Sequence, residues 1–144
     1  MLVQTILKSK SSSNVVTVSS SATVSEAAKL LSEMKIGTVV VSEDGETATG
    51  ILSERDIVRE LANSGSGCLS QCVSDYMTTE LVTCTSQASV ENVLTQMTEG
   101  RFRHMPVVED GKLVGIVTLG DAVKAQLKEL AMEKNALEGM IMGH

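Results

Sequence analysis

The sequence is almost without aromatic side chains: among 144 residues there is one tyrosine, one phenylalanine and no tryptophan. Proteins that hold single-stranded nucleic acid usually stack its bases on aromatic rings, and this chain has no such platform. Basic residues are also in the minority, with 12 lysines and arginines against 18 acidic residues and a net charge of −6. We therefore expect no broad basic face for phosphates and no nucleic-acid partner.

Long hydrophobic runs are missing too. No stretch approaches the ~20 consecutive apolar residues that cross a bilayer. The chain starts with MLVQTILKSKSSSN, where lysines follow a short apolar run, and this order is the reverse of that in a signal peptide. We therefore expect a cytoplasmic protein without a membrane partner. The length predicts one compact domain, or two small subdomains that share a core.

Cysteine and histidine are scarce. The three cysteines are an odd number without secretory context, which favours reduced thiols. Cys68 and Cys72 are spaced as a CxxxC pair, so a redox or metal-binding role is the alternative. His104 and His144 do not have the spacing that would complete a metal site with them. No metal is therefore expected.

Sequence signals of catalysis are also lacking. There is no Gly-x-Ser-x-Gly elbow and no P-loop. The Gly-Ser-Gly at 65–67 lacks both the third glycine of a dinucleotide fingerprint and its strand-to-helix setting. A binding module is therefore favoured over an enzyme, with no catalytic residue and no catalytic cofactor.

What the chain does contain is an internal repeat. Short strings recur 65 or 66 positions further along, and such self-similarity indicates two copies of one structural unit. The matched strings are VTV at 16–18 with VTC at 82–84, EDG at 43–45 with EDG at 109–111, and GI at 50–51 with GI at 115–116. Asp56 in the first copy matches Asp121 in the second.

The hydrophobic period changes in the same order in both copies. Apolar residues at i, i+3, i+4 and i+7 predict a helix in each, and TVSE at 23–26 forms a capping box at the start of the first. β-branched runs on either side of an acidic turn predict two strands, and a second helix begins near Asp56 or Asp121. Each copy therefore reads β-α-β-β-α. We predict an α/β (α+β) fold in which the copies pack face to face around a pseudo-twofold axis.

These patterns divide the chain into five parts. The parts are an N-terminal segment (1–13), repeat 1 (14–62), a linker (63–79), repeat 2 (80–128) and a C-terminal helix extension with a tail (129–144). The linker contains ANSGSGCLSQC, whose glycines and serines predict a flexible connection.

The doubled signature Gly-h-h-[Ser/Thr]-x-x-Asp, where h is hydrophobic, resembles that of the cystathionine-β-synthase (CBS) domain in a tandem pair, the Bateman module. The strings SERDIVR and RFRHMPVV are similar to those of small stand-alone CBS-pair proteins. The resemblance covers about residues 10–130 and leaves no room for a catalytic domain.

The resemblance implies that adenosine nucleotides (AMP, ATP or NAD(H)) bind in clefts between the repeats. In such sites the signature Asp holds the ribose hydroxyls, basic residues hold the phosphate, and backbone of the other repeat contacts adenine. One site would comprise Thr118, Asp121, Arg103 and His104, closed by Asn14 and Val16. The second would comprise Ser53, Asp56 and Thr38, closed by Met77, Glu80 and Val82.

The sequence predicts that the two sites differ in charge. Arg103 and His104 in repeat 2 correspond to Gly37 and Thr38 in repeat 1, which are uncharged. An arginine fork suits phosphate oxygens, and a carboxylate accepts both hydroxyls of a ribose. We therefore predict that the site of Asp121 binds a nucleotide monophosphate more tightly. The alternatives are that the aspartates only cap helices and that the basic residues only guard a strand edge.

The expected function is a regulatory module that binds an adenosine nucleotide and changes its docking to an unidentified protein partner. The alternative is a homodimerisation scaffold that needs no ligand. The apolar surface for a homodimer would come from Leu61, Val123, Leu127, Leu130 and Leu137.

Overall fold

The computed structural model describes residues 1–10 and 15–141. The main elements are α1 (Val3–Ser9), β1 (Thr17–Val18), α2 (Val24–Met34), β2 (Thr38–Val41), β3 (Gly50–Ser53), α3 (Glu54–Ser64), α4 (Val90–Gly100), β4 (His104–Glu109), β5 (Lys112–Thr118) and α5 (Leu119–Ile141). Two short 3-10 helices, Gly65–Ser70 and Val73–Asp75, lie between the repeats. The mixed helix and strand composition confirms the α+β fold class.

Repeat 1 has the predicted order β-α-β-β-α. Helix α2 begins at the expected capping box, in which the Thr23 hydroxyl accepts from the Glu26 amide. Strand β2 pairs antiparallel with β3, and β1 pairs parallel with β2. The strand residues of β2 are all buried, as a run of β-branched residues predicts for a strand covered on both faces.

Repeat 2 lacks a regular first strand within the described residues. In repeat 1 the Val40 amide donates to the Val16 carbonyl at 3.1 Å and so holds β1 against β2. The counterpart of Val40 is Pro106, which has no N–H to donate. Only an isolated parallel bridge forms at Cys84, where the Cys84 amide donates to the Pro106 carbonyl at 3.1 Å. The strand predicted at 82–84 is therefore reduced to that bridge.

Each repeat has its own apolar core, built from the buried faces of its helices and strands. The core of repeat 1 comprises Val24, Ala27, Leu31, Val39, Val41, Leu52, Ile57 and Val73. The core of repeat 2 comprises Val3, Ile6, Val90, Val93, Met97, Met105, Val107, Val117, Ala122 and Ala125.

The segments before the two repeats are exchanged between them. We call residues 1–9 and 71–77 the leading segments. Val3, in the first, is fully buried in repeat 2, and its amide donates to the Ala88 carbonyl at 2.9 Å. Val73, in the second, is fully buried in repeat 1, and its amide donates to the Ala22 carbonyl at 2.8 Å. Each repeat is therefore completed by the segment that precedes the other.

The linker differs from the flexible connection that its glycines and serines predicted. Its first part forms a 3-10 helix against α2 and α3, and Cys68 is buried there. Cys72 forms an isolated antiparallel β-bridge with Thr23 at the start of α2. Burial of these side chains and the backbone hydrogen bonds of the leading segment order the linker, because both are lost if it moves.

Helix α5 extends 23 residues and is the longest of the described part of the chain. None of the helices in residues 1–10 and 15–141 combines the length and the apolar composition needed to span a bilayer.

Candidate functional site

Asp56 sits in the first turn of α3, where strand β3 ends. Its Oδ2 accepts the Ser53 amide at 2.9 Å, and its own amide donates to the Ser53 Oγ at 3.2 Å. The other carboxylate oxygen, Oδ1, accepts from the Arg59 guanidinium of the next turn at 2.5 Å. The Asp56 side chain is 14% exposed and that of Arg59 is 61% exposed, so this cation reaches the carboxylate from the solvent side.

Asp121 occupies the equivalent position in the first turn of α5. Its Oδ2 accepts the Thr118 amide at 3.0 Å, and its amide donates to the Thr118 Oγ1 at 3.0 Å. Lys10 supplies the cation here, with Nζ 2.7 Å from Asp121 Oδ2 and 2.7 Å from the Ile116 carbonyl oxygen. Burial raises the pKa of Asp121, but the hydrogen bonds from Lys10 and the Thr118 amide and the charge of Lys10 outweigh it, so the pKa lies below its usual value.

Both aspartates therefore cap a helix, as one of the two interpretations predicted. Capping uses only part of the acceptor capacity of each carboxylate, because a carboxylate has two oxygens with about four acceptor positions. In each case the cap uses Oδ2. The two aspartates differ in the oxygen that meets the cation: Arg59 contacts Oδ1 of Asp56, whereas Lys10 shares Oδ2 of Asp121 with the helix cap.

A cavity of about 1240 Å³ lies in the seam between the repeats on the side of Asp56. It is walled by both repeats and by the chain that follows the linker. Of the predicted site residues, it is lined by Thr38, Ser53, Asp56, Glu80, Val82, Arg103, His104 and Thr118. Thr78, Glu80, Leu81 and Val82, at the entry to repeat 2, also line it.

Basic side chains gather at this larger cavity. They are Arg55, Arg59, Arg101, Arg103, His104 and Lys124. The sequence shows no charge at the counterparts of Arg103 and His104 in repeat 1 and leaves the direction of Arg55 and Arg59 open, so the site at Asp56 was predicted to be weaker, empty or dependent on phosphate contacts from elsewhere. In the structure, α3, α5 and the end of α4 all contribute cations to the lining of this cavity. An anion held there would lie near several positive charges.

A second cavity, of about 420 Å³, lies on the side of Asp121. Val16, Thr38, His104 and Thr118 line it, as does Lys10, whose ammonium group joins the cavity wall to Asp121. Arg103 lines the larger cavity and not this one, contrary to the predicted grouping. Arg103 directly precedes β4, whose first residue, His104, lines both cavities.

Thr38 and His104 are equivalent residues at the starts of β2 and β4, and they line both cavities. The Thr38 hydroxyl is buried and has no hydrogen-bond partner within the described residues. Burial lowers the pKa of His104, and the neighbouring Glu54 carboxylate, which raises it, only partly offsets that effect. At neutral pH the imidazole is therefore uncharged, and an anion close to it would raise its pKa.

Two predicted residues within the described part of the chain, Asp121 and Met77, line neither cavity. Asn14 lies outside the described residues. Met77 packs against Gly50, where a Cβ atom would approach its Sδ to 2.7 Å, so that glycine gives the Met77 side chain its place in the repeat 1 core. Gly115 holds Leu7 in the same way in repeat 2, which repeats the exchange of leading segments.

The sequence reasoning missed Lys10. A signal was present: Val3 and Val73 occupy equivalent positions at a displacement of 70, so the N-terminal segment that leads to Lys10 matches residues 71–77. The N-terminal segment was left outside the repeat, so its match to 71–77 was not used.

The described residues offer no group of histidine, cysteine, aspartate and glutamate that could hold a metal ion. Cys68, Cys72 and Cys84 are free thiols. Burial, aided by the charge of Glu109, raises the pKa of Cys84 to about 11, so this thiol stays protonated at neutral pH.

Comparison with protein families finds the CBS domain twice in this chain, at residues 6–63 and 73–128. Two curated relatives are the mitochondrial CBS domain-containing protein CBSX3 of Arabidopsis thaliana and the CBS domain-containing protein YhcV of Bacillus subtilis. The former is 36% identical over 125 residues, which are 84% of this chain and 61% of the relative. The latter is 36% identical over 122 residues, 84% of this chain and 85% of the relative. The chain thus spans less than two thirds of the plant protein.

Solved structures agree with the architecture. The CBS-domain containing protein ATU1752 of Agrobacterium tumefaciens is 41% identical with a TM-score of 0.83, covering 88% of this chain and 99% of that one. The CBS domain pair of protein MJ0100, solved with 5′-methylthioadenosine and S-adenosyl-L-methionine, is 28% identical with a TM-score of 0.76, covering 87% and 98%. A hexameric CBS-CP12 protein from bloom-forming cyanobacteria is 30% identical with a TM-score of 0.73, covering 85% and 69%.

Proposed function

The chain belongs to the CBS-domain family as a tandem pair, and from this premise we propose that it binds an adenosine nucleotide between its repeats and thereby regulates a protein partner. CBS-pair proteins generally act as regulatory ligand-binding modules and are generally non-catalytic. The proposal goes further, to AMP, ATP or NAD(H) as ligand and to the residues that would hold it. The cytoplasmic location stays a prediction, and the Arabidopsis relative is named as mitochondrial.

One observation carries the proposal: a single cavity, walled by both repeats, is lined both by the helix-capping carboxylate of Asp56 and by a group of cations. A ribose needs an acceptor for its two hydroxyls, and Asp56 Oδ1 supplies one once Arg59 moves aside. The phosphates of the same ligand need cations, and Arg55, Arg59 and Arg103 are candidates. Aliphatic residues such as Ile51 and Val82 would pack against the base in a site with little aromatic surface.

The structural neighbour MJ0100 supports the adenosine part of the proposal, because both of its ligands contain adenosine. It does not bear on the phosphates, since neither ligand named for it carries one. The cation group of the larger cavity is the feature of this chain that favours a phosphorylated ligand.

Regulation would follow from the position of the ligand in the seam. A ligand that contacts both repeats favours the packing in which both sets of contacts form, and it shifts the population by its difference in affinity for the two arrangements. Coupling of about 1–3 kcal/mol is the usual scale for such a device. The partner protein would respond to that change.

A second candidate function, the homodimerisation scaffold, is supported by exposed apolar side chains on α5. These include Leu127, Leu130 and Leu137. The hexameric CBS-CP12 neighbour shows that a protein of this family can assemble. Light scattering on the purified protein with Leu127→Glu, against Lys128→Glu as the control, tests the scaffold: only the first substitution should dissociate a dimer.

Isothermal titration calorimetry with AMP, ATP, NADH and S-adenosyl-L-methionine tests the ligand. We expect at least one phosphorylated ligand to bind. A ligand at 100 times its dissociation constant should also raise the free energy of unfolding by about 2.7 kcal/mol. The proposed function is wrong if none of the four ligands releases heat or shifts the melting temperature while the protein is folded.

A further inference from the structure

His104 lies in the wall that the two cavities share. It is the first residue of β4, and it lines both the larger and the smaller cavity. Its Nε2 lies 3.6 Å from the point where a Cβ atom on Gly37 would be, and Oε1 of Glu54 lies 3.6 Å from the same point. The imidazole of repeat 2 therefore reaches across the seam to repeat 1, and a ligand on either side meets the same ring.

Charged residues on both sides of this wall act on the imidazole. Burial lowers the pKa of His104, Glu54 and Asp121 raise it, and Arg103 and Lys10 lower it. Glu54 and Arg103 line the larger cavity, Lys10 lines the smaller one, and Asp121 is paired with Lys10. These four charged groups come from the starts of α3 and α5, from the residue before β4 and from the chain that follows α1. The ring is therefore sensitive to charge in either cavity.

The other cations of the two linings are arginines and lysines, and these side chain types keep their charge at neutral pH. His104 is the residue of the described linings whose charge a ligand can switch on near pH 7, because an unperturbed imidazole titrates at about 6.5.

We propose that His104 takes up a proton when an anionic ligand enters either cavity, so that the chain binds such ligands more tightly as the pH falls below about 7. This inference rests on the proposed function and adds a second input to it, because the module then responds to pH as well as to its ligand.

The direction of the effect follows from proton linkage. An anion beside the ring favours the imidazolium, so the complex keeps the proton up to a higher pH than the free protein does. Between the two pKa values the complex holds more protons than the free protein, and the affinity rises as the pH falls through this range. Below both values the ring is charged with or without ligand, and the gain is complete. Each unit by which a ligand raises the pKa of a histidine corresponds to about tenfold in affinity.

Repeat 1 supplies a matched replacement for this histidine. Thr38 is the equivalent residue, it lines the same two cavities, and its hydroxyl does not titrate in this range. That hydroxyl is buried and has no hydrogen-bond partner in the part of the chain that the structure describes, so a polar ligand atom at this wall would satisfy it. His104→Thr therefore exchanges the titrating ring for a side chain that the wall already contains.

NMR of the imidazole reads the proton directly, with AMP and adenosine as probes. The chain has two histidines, and His144→Gln leaves His104 as the only one. We expect bound AMP to raise the pKa of His104, because its phosphate lies near the ring, and bound adenosine to leave that pKa unchanged. The measurement follows a protein resonance, so titration of the AMP phosphate does not enter it.

Calorimetry with AMP measures the consequence for affinity. The affinity of the wild type divided by that of His104→Thr should rise about threefold or more between about pH 8 and 6. Titration of the AMP phosphate is common to both proteins and cancels in this ratio. His144→Gln is the matched control, and its affinity should follow that of the wild type at every pH. Melting curves show that each variant is folded.

An unchanged pKa of His104 with AMP bound overturns the inference, and so does a ratio that stays level with pH. An equal rise of the pKa with adenosine overturns it as well, because charge is then not the cause. ATP or NADH replaces AMP if it is the phosphorylated ligand that binds, and binding of S-adenosyl-L-methionine alone overturns the inference. If none of these ligands binds, the proposed function itself has failed, and that result differs from all the others.

Discussion

The two Ser/Thr–Asp pairs share a backbone arrangement and differ in the origin of the cation that meets the carboxylate. At Asp56 the cation is Arg59, three residues further along the same helix. At Asp121 it is Lys10, which is 111 positions away in the chain and reaches the site because the leading segments are exchanged. The backbone arrangement at the helix start is the same in both copies, whereas the charged residues around it differ.

The difference separates two roles that one residue can hold. The cap is made within the repeat and is the same in both copies, whereas the charge that faces a ligand is supplied from whatever packs nearby. The larger cavity therefore gathers cations from three helices or their ends, and the smaller one has its own internal counter-ion. Sites that are equivalent by repetition are expected to prefer different ligands.

The largest expected effect tests whether the leading segments are equivalent. Val3→Ala and Val73→Ala each remove two methyl groups from a fully buried position, and each should lower the free energy of unfolding by about 2 kcal/mol. Urea denaturation measures both. Exposed Thr5→Ala on the same helix is the control and should change stability by less than about 0.5 kcal/mol. If Val73→Ala lowered the free energy of unfolding as expected and Val3→Ala did not, α1 would not be docked in solution.

The next effect concerns ligand binding at the two carboxylates. Asp56→Asn keeps a helix-capping side chain but loses the charge, so nucleotide affinity at the larger cavity should fall about ten- to a hundredfold. Asp121→Asn should leave that affinity within about threefold. Calorimetry with the ligand identified for the wild type measures both, and Asp110→Asn in an exposed turn is the control.

If Asp121→Asn abolished binding while Asp56→Asn left it intact, the tight site would be the one at Asp121, as the sequence comparison predicted. That result would reverse the preference that the cation group of the larger cavity supports.

The two helix caps should contribute equally to stability. Ser53→Ala and Thr118→Ala each remove the side chain that accepts the aspartate amide, and each should cost about 1 kcal/mol of stability without ligand. Thermal or urea denaturation measures the pair, with the exposed Ser32→Ala as the control. Costs that differ by more than about 1 kcal/mol would show that the two caps are not equivalent.

The smallest effect is the pH dependence of stability that His104 adds to repeat 2. Burial lowers the pKa of His104 below its usual value, with Glu54 and Asp121 raising it and Arg103 and Lys10 lowering it. The unfolded chain therefore binds the proton more readily, and stability falls as pH falls from about 7 through the folded pKa. His104→Thr, which copies Thr38, should flatten this slope in denaturation curves between about pH 7 and 5.

A slope that is unchanged in His104→Thr would mean that other groups cause it. Glu54→Gln is the matched test of the neighbouring carboxylate: it removes a charge that raises the pKa, so the slope should steepen if His104 is responsible.

Much of the architecture was predictable because its causes are local. Strand β2 formed over a predicted β-branched run, since four β-branched residues in succession favour an extended, buried strand. The capping box at Thr23 also formed as predicted, because its two hydrogen bonds join residues three apart. The loss of the first strand in repeat 2 was only partly predictable. Pro106 has no N–H and so cannot donate a strand hydrogen bond, but the carbonyl that would have accepted this bond became known only from the pairing of β1 with β2.

The candidate site was less predictable for the opposite reason. Thr38 and Ser53 are paired on adjoining strands of one repeat, and Asp56 follows Ser53 in the first turn of α3, so the three come together. The direction of Arg103 and the position of Met77 depend on how the repeats and leading segments pack, and there the expected groupings differ from the structure. Lys10 was missed because its partners lie more than 100 residues away.

The sequence by itself determined the repeated unit, the family and the two aspartates at equivalent helix starts, because these depend on patterns within a few residues of the chain. Only the tertiary structure decided which cation meets each carboxylate and how large each cavity is. Those features come from surfaces that meet across the seam, and no local preference encodes the contact of one repeat with the segment that leads into the other.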